Sequence, residues 1–342
     1  MRIGFNPVKE DKEIVVENYH RIIIPVYIPH FEGYFEQTFE IFKLCIDSLL
    51  LTIHDKTRIT IYNNACHPDV ADYIDLKYKE SNFIDQVFHS KQNLGKINAI
   101  LASTKGNLEP LITITDADVF FKENWQDAVE KMMIDFPAAG MICPVPNSKA
   151  VSNYVKNNWY YGLFNGKLKF EKVSDPGAMI KFDESLGNKK SLLKQIHLEK
   201  YLVLYNKKRN ARAVMGAGHF VATLRREVFD KGSNEPAFIK IVGGVENKFI
   251  DIPNEQLGYL RISTPENYAY HLGNSIEDWM FEEFSNLKKE NKKTSHNSLD
   301  FKGVPISRTG RILGYCIQKI ISKNFKIKLK VLNLLGLESD DF

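Results

Sequence analysis

Short apolar runs and stretches of helical spacing alternate along the chain from residue 18 to residue 146. The first run, RIIIPVY over Arg21 to Tyr27, is continuous. A continuous run of this length suits a strand covered on both faces, as in a parallel sheet. Phe35 to Ile53 follows, with Phe39, Phe42, Leu44, Ile46, Leu49 and Leu50 at largely helical spacing. TRITIY over Thr57 to Tyr62 predicts a second strand, which Asn63 and Asn64 end. A helix over Pro68 to Lys79, a strand over Phe83 to Ser90 and a helix over Gly95 to Ser103 come next. LITIT, Leu111 to Thr115, reads as a fourth strand and runs straight into Asp116. Trp125 to Phe136 predicts a helix stopped by Pro137, and Ala139 to Pro144 a further strand. Strands alternating with helices predict an α/β fold, a mostly parallel doubly wound sheet with helices on both faces.

Beyond residue 146 the pattern changes. Ala150 to Arg212 is rich in Asn, Lys and Tyr and reads as a long excursion over the mouth of the sheet. Regular structure resumes at Ala213 to Leu224. The polar stretch LKKENKKTSHNS, Leu287 to Ser298, predicts a linker;. The expected organisation is one domain over 18–286, with halves 18–146 and 147–286, a linker over 287–300 and a helical, basic appendage over 301–342. No internal repeat is visible.

Composition narrows the function classes. The chain has 342 residues, of which 44% are hydrophobic, ample for a buried core;. Lys+Arg 46 against Asp+Glu 42 leaves +4, a mild excess that calls for no nucleic-acid partner;. Cys45, Cys66, Cys143 and Cys316 are far apart and form no C-x-x-C pair, so neither a disulfide framework nor a zinc site is expected;. MRIGFNPVKEDKEIVV carries acids and no apolar h-region, and no stretch matches a membrane span;. The expected setting is cytoplasmic, with a peripheral position on the cytoplasmic face of a membrane.

The chemistry concentrates in LITITDADVFF, where an apolar strand delivers Asp116 and Asp118 at its carboxyl end. Ligands of open α/β sheets bind outside the carboxyl ends of the strands. Hard divalent cations take oxygen ligands and bridge a carboxylate to a diphosphate. The same residues would also serve as a cap and a solvated turn. RIIIPVY, NNACHPD, QNLGKINAI and TDADVFF, in that order, resemble the nucleotide-binding half of family 2 glycosyltransferases of the GT-A fold. The resemblance covers roughly Arg21 to Pro146 and resumes around Gly216 to Gly273.

It implies a nucleotide-sugar donor, with Pro25 and Tyr27 in the turn beside the nucleotide. The N-x-G-x-x-x-A segment corresponds to Asn93, Gly95 and Ala99. Asp116 would contact the ribose and the metal, and Asp118 would be the main metal ligand. Lys96 would neutralise diphosphate charge, unless it is a solvated lysine at a helix start. Asn63 or Asn64 stands where many relatives carry an Asp that contacts the base. An amide still serves a uracil edge, so a UDP-sugar is the favoured donor. His271, in YAYHLGN, would complete a Mn²⁺ or Mg²⁺ site; a structural histidine is the competing reading.

In the second half, MGAGHFVATLRREVFD resembles the acceptor-side segment. Gly216 and Gly218 there allow close backbone approach;. Arg225 and Arg226 fit either that role or a solvated strand end. FIDIPNEQLGYLRIST resembles the stretch that brings a catalytic carboxylate, with Glu255 first and Asp251 second, and Glu246 as a third candidate. Both Asp251 and Glu255 also suit a helix start. A carboxylate base implies an inverting transfer to a glycan or lipid-linked acceptor. The rival readings are a haloacid-dehalogenase-like phosphatase, whose D-x-D-x-V pattern this strand also meets, and an inactive nucleotide-sugar-binding protein. In the tail, seven Lys/Arg residues and no acid lie between Arg308 and Lys330. Ile312, Leu313, Ile317, Ile320 and Ile321 share one stripe, so an anionic membrane surface is the expected partner, or else the catalytic domain itself.

Overall fold

The computed structural model describes residues 3–4, 13–239, 245–290, 301–337 and 339. Twelve strands appear in them: β1 His20–Val26, β2 Thr57–Asn64, β3 Ile84–Ser90, β4 Leu111–Thr115, β5 Val119–Phe121, β6 Ala139–Cys143, β7 Lys167–Lys172, β8 Lys200–Asn206, β9 Ala211–Met215, β10 Val221–Arg225, β11 Leu260–Ser263 and β12 Ala269–His271. The helices are α1 Thr38–Thr52, α2 Pro68–Glu80, α3 Lys96–Lys105, α4 Trp125–Asp135, α5 Lys156–Tyr160, α6 Pro176–Ser185, α7 Gln195–Glu199, α8 Arg226–Asp230, α9 Ile252–Leu257, α10 Asp278–Glu290, α11 Arg308–Lys323 and α12 Phe325–Leu334.

Ten strands form one sheet in the order β3-β2-β1-β4-β10-β6-β11-β9-β8-β7. β3, β2, β1 and β4 are mutually parallel, which is the half that the continuous apolar runs predict. Ile22, Ile23 and Ile24 of β1 are fully buried because helices cover both faces of that half;. β10 enters antiparallel between β4 and β6, and the sheet is mixed from there on. β5 and β12 pair apart from it as a two-stranded antiparallel ribbon.

Two expectations need correction. The stretch 150–212 is not a loose excursion: β7 and β8 pair antiparallel and extend the sheet beyond β9. β7 is hidden in the pattern because the outer strand buries only alternate side chains, Leu168 and Phe170, between charged residues, whereas β8 carries an apolar run, YLVLY, that sequence reading passed over;. Of the linker expected over 287–300, residues 287–290 belong to α10, and residues 291–300 lie outside the described residues. The C-terminal region is helical, as expected, and it packs on the body of the protein. Gly310 and Gly314 of α11 lie so close to Lys156 and Tyr160 of α5 that an added Cβ would collide with them. Ile321, Leu332 and Leu337 join the main core.

A buried polar cluster fixes the amino end of β1. Glu130 of α4 is almost wholly buried and faces three donors, His20 Nδ1 at 2.6 Å, His54 Nε2 at 2.9 Å and the Tyr19 hydroxyl at 3.2 Å. Burial alone would raise the Glu130 pKa, but the hydrogen bonds from His20 and His54 prevail and hold it at about 2;. Folding therefore gains from an ionised Glu130. That gain is complete above the ordinary Glu value and is lost as the pH falls towards about 2;. Glu130→Gln is expected to lower stability at pH 7 by roughly 3 kcal/mol in urea unfolding. The gap to wild type should narrow in acid; a gap that stays constant with pH would assign the loss to packing alone.

Candidate active site

The carboxyl ends of β1 and β4 open into a cleft of about 460 Å³. Pro25 and Tyr27 line one wall, Asn64 and Asn93 another, and Lys96, Asp116 and Asp118 the floor. Asn64 shapes the entry to α3: its amide nitrogen donates to Asn93 Oδ1 at 3.0 Å, and its Oδ1 accepts the Leu94 N–H at 2.8 Å. Asn93 Oδ1 also accepts the Gly95 N–H at 2.9 Å. Gly95 takes φ +83° there, a turn that sets Lys96 at the first position of α3;.

Asp118 leaves β4 by a short turn and precedes β5, whose Val119 pairs with His271 of β12. That ribbon brings His271 to the D-x-D turn across 153 residues of sequence (271 less 118). His271 Nε2 lies 3.5 Å from Asp118 Oδ2. Ser185 Oγ gives its proton to Phe182 O at 2.7 Å, so at 2.8 Å it accepts from His271 Nδ1–H. In the neutral ring this fixes the lone pair on Nε2, towards Asp118. Asp116, Asp118 and His271 offer ligand atoms within 4.8 Å of one another. Asp118 Oδ1 is buried without a hydrogen-bond partner. Burial pushes the Asp118 carboxyl up to about 6, against the pull of His271;. An orphaned carboxylate oxygen beside a second carboxylate and an imidazole fits a hard divalent cation such as Mn²⁺ or Mg²⁺.

Lys96 ties the floor together. Its ammonium is paired with Asp116 and lies 2.6 Å from Glu246 Oε1. Burial opposes its charge, but the two carboxylates outweigh burial and raise its pKa. Glu246 responds in kind: burial would raise its pKa, and Lys96 holds it below the ordinary value. On the far side of Lys96, Asp116 and Glu246 lies a second cavity of about 450 Å³. Asn147, Lys149, Tyr154, His219 and Phe220 line it, and His271 reaches it as well. His219 is set there by the turn between β9 and β10, where Asp116 N–H donates to Phe220 O at 2.7 Å. Behind it, the fully buried Asp251 contacts His219 Nε2 and lies 2.9 Å from Arg261 Nε.

The structure gathers Pro25, Tyr27, Asn64, Asn93, Lys96, Asp116 and Asp118 around one cleft, with His271 beside them. It does not bring three other candidates there. Asn63 turns away, with its amide 2.9 Å from His89 Nδ1 and its Oδ1 accepting the Cys66 N–H. Glu255 lines neither cavity; it accepts the Lys156 N–H at 3.1 Å and pairs with Lys156 Nζ at 2.9 Å, an anchor between α9 and α5. Asp251 is enclosed and reaches the second cavity through His219 and Arg261, which both line it and contact its carboxylate. Arg225 and Arg226 are structural, donating to backbone carbonyls, Ala139 O at 2.6 Å and Glu109 O at 2.7 Å respectively. Sequence reading missed His219 and the aromatic pair Tyr34 and Phe35 on the first cleft. Aromatic density in PHFEGYF was the available signal for that pair; for His219 no local signal exists.

No family model matches the chain, and no curated protein matches it. The chain is similar to residues 1–349 of S. aureus TarS at 10% identity and a TM-score of 0.42, over 80% of this chain and 65% of that one. It is also similar to the mannosyltransferase PcManGT from Pyrobaculum calidifontis in complex with GDP-Man and Mn2+, at 11% identity and a TM-score of 0.46, over 96% and 77%. A third is GalNAc-T7 with UDP, GalNAc and Mn2+, at 15% identity and a TM-score of 0.46, over 75% and 43%. The chain spans less than two thirds of the length of the TarS chains that it matches, 65% and 39%.

Proposed function

We propose that the protein is a glycosyltransferase that transfers a sugar from a nucleotide-sugar donor, with a divalent cation bound by Asp116, Asp118 and His271. The observation that carries this reading is the orphaned Asp118 Oδ1 in that triad, at the base of a cleft sized for a nucleotide;. The cation would act as a Lewis acid on the leaving diphosphate. Lys96 adds a positive charge on the same side. The second cavity takes the acceptor, and Glu246 faces both cavities. Glu246 accepts the proton of the acceptor hydroxyl as that oxygen bonds to the anomeric carbon. The bond from that carbon to the diphosphate oxygen breaks, and the nucleotide leaves with the electron pair. One direct displacement of this kind inverts the anomeric centre.

While Lys96 pairs with Glu246, the carboxylate is a weak base. A diphosphate in the cleft competes for the same ammonium, and sharing Lys96 lets the Glu246 pKa rise towards a useful value. A UDP-sugar is the first donor to test, since the Asn64 amide keeps a second proton for a uracil edge. A thermal-shift panel of nucleotide sugars with and without Mn²⁺ checks the reading. One donor should raise the melting temperature only when Mn²⁺ is present, by RT ln(1 + [L]/Kd) in free energy. No shift with any donor would overturn it.

The acceptor reading extends to a lipid surface. α11 has two apolar arcs, and only one is packed. Ile312, Leu313, Tyr315 and Ile320 remain about half exposed, with Lys319 and Lys323 among them, and Phe325 is 61% exposed at the start of α12. Exposed apolar side chains between lysines complement an anionic bilayer. No described helix is long and apolar enough to cross one. Deleting the tail is a poor test, because Ile321, Leu332 and Leu337 belong to the main core. Replacing Ile312, Leu313 and Ile320 with serine should instead leave the melting temperature nearly unchanged and abolish salt-sensitive binding to anionic vesicles. Equal vesicle binding by wild type and this variant would remove the membrane from the proposal.

A further inference from the structure

A third cavity, of about 360 Å³, lies between the C-terminal helices and the body of the protein. Its lining joins remote parts of the chain. Lys149 follows β6, Lys194 and His197 bracket the start of α7, and Lys328 comes from α12. The floor is apolar, made of Trp159, Leu202, Ile321 and Leu332. No carboxylate occurs among its described lining residues.

Three lysines from remote segments meet at this cavity and place positive charge around His197;. His197 registers that field. It is buried, and burial first, then the charges of Lys149, Lys194 and Lys328, hold its pKa below the ordinary histidine value;. Its Nδ1 accepts the Lys194 N–H at 3.1 Å, which leaves the proton of the neutral ring on Nε2 as a donor;. The walls are held in place: Lys149 Nζ donates to Leu192 O at 3.0 Å, and Gln318 of α11 donates to Ser152 O at 2.5 Å. Lys149 also lines the acceptor-side cavity, beside Asn147 and His219, so the two spaces share a wall.

We infer that this cavity is a phosphate subsite for the acceptor, built from Lys149, Lys194, His197 and Lys328. Donors that converge from three segments suit a tetrahedral dianion or phosphodiester, with lysine as a point-charge ligand. The apolar floor suits the organic group esterified to it. The acceptor role rests on the transferase reading; the anion site does not. Two sources share this chemistry, the phosphate of a lipid-linked sugar and the phosphate of a soluble glycan chain.

The test uses the full chain without donor. Inorganic phosphate titrated by calorimetry should bind and should raise the melting temperature. The double variant Lys194→Gln/Lys328→Gln should bind phosphate at least about tenfold more weakly. Its melting temperature without phosphate should stay near that of wild type. Glycerol phosphate and farnesyl phosphate then separate the sources. Tighter binding of farnesyl phosphate, reduced by Trp159→Phe, identifies a lipid-linked acceptor; equal binding of the two identifies a soluble phosphorylated glycan. Undetectable phosphate binding, or equal affinity in the double variant, overturns the subsite and leaves the transferase reading untouched. Phosphate binding by a protein that shifts with no nucleotide sugar overturns the acceptor role instead.

Discussion

Asp118→Asn is expected to reduce sugar transfer by on the order of 10³-fold or more, and excess chelator should bring wild type to the same level. The substitution keeps the size of the side chain and removes the charge that a divalent cation needs. His271 and Asp116 remain, so residual binding of the metal would be weak and its geometry incomplete. The same variant should be more stable than wild type when metal is absent. Burial raises the Asp118 pKa to about 6 and leaves Oδ1 without a partner, so ionising this group costs the folded state;. The cost sets in above the ordinary Asp value and grows until the pH passes about 6;. Solvent reaches 26% of the side chain, which screens the effect;. The expected gain for Asp118→Asn at pH 7 is about 1–2 kcal/mol in urea unfolding, and it should vanish below pH 4. Saturating Mn²⁺ with donor should reverse the order, because only wild type binds the pair. Undiminished transfer in chelator would remove the metal from the proposed chemistry.

What the sequence displayed of this site follows from how local each part is. Asp116 and Asp118 are legible because the strand that carries them is a continuous buried run ending at the first carboxylate. Pro25, Tyr27 and Asn93 come from the family resemblance; Pro25 lies near the end of β1, Tyr27 directly after it and Asn93 shortly after β3. Glu246 and Glu255 are each a single acid beside a helical turn. What separates them is a pairing of Glu246 with Lys96 across 150 residues (246 less 96), which no local spacing encodes. His219 is hidden in the same way, because its partner Asp251 lies 32 residues on. The tail shows a different limit of pattern reading. Its apolar positions mark α11 as amphipathic, but hydrophobicity alone cannot say which arc packs. The pair Gly310 and Gly314, four residues apart, marks the face that touches α5;. β7 is obscured because charged residues fill the outward positions of an outer strand, while the pairing that makes it a strand is non-local;. β8, by contrast, carries the apolar run YLVLY, a local strand signal;.

Glu246→Gln is expected to lower kcat by roughly 10²–10⁴-fold with donor affinity little changed. The amide preserves the hydrogen bond to Lys96 and removes the only function that the proposed reaction asks of this side chain, which is to take a proton. Glu255→Gln is the matched comparison. Glu255 pairs with Lys156 outside both cavities, so its loss should cost stability and leave turnover within a few-fold of wild type. The pH profile separates a base from a positioning carboxylate. Lys96 holds Glu246 below the ordinary carboxylate range, whereas Asp118 is pushed up to about 6. Protonation of Asp118, which sets in near pH 6 without metal, would compete with the cation, so the acid limb of kcat/KM reports Asp118 and should move to lower pH as Mn²⁺ is raised;. Glu246→Gln should lower the plateau without moving that limb, and Lys96→Met should weaken donor binding while raising the Glu246 pKa. Should Glu246→Gln keep normal turnover and Glu255→Gln lose it, proton transfer would have to run through the anchor between α9 and α5, and the acceptor could not occupy the cavity beside His219.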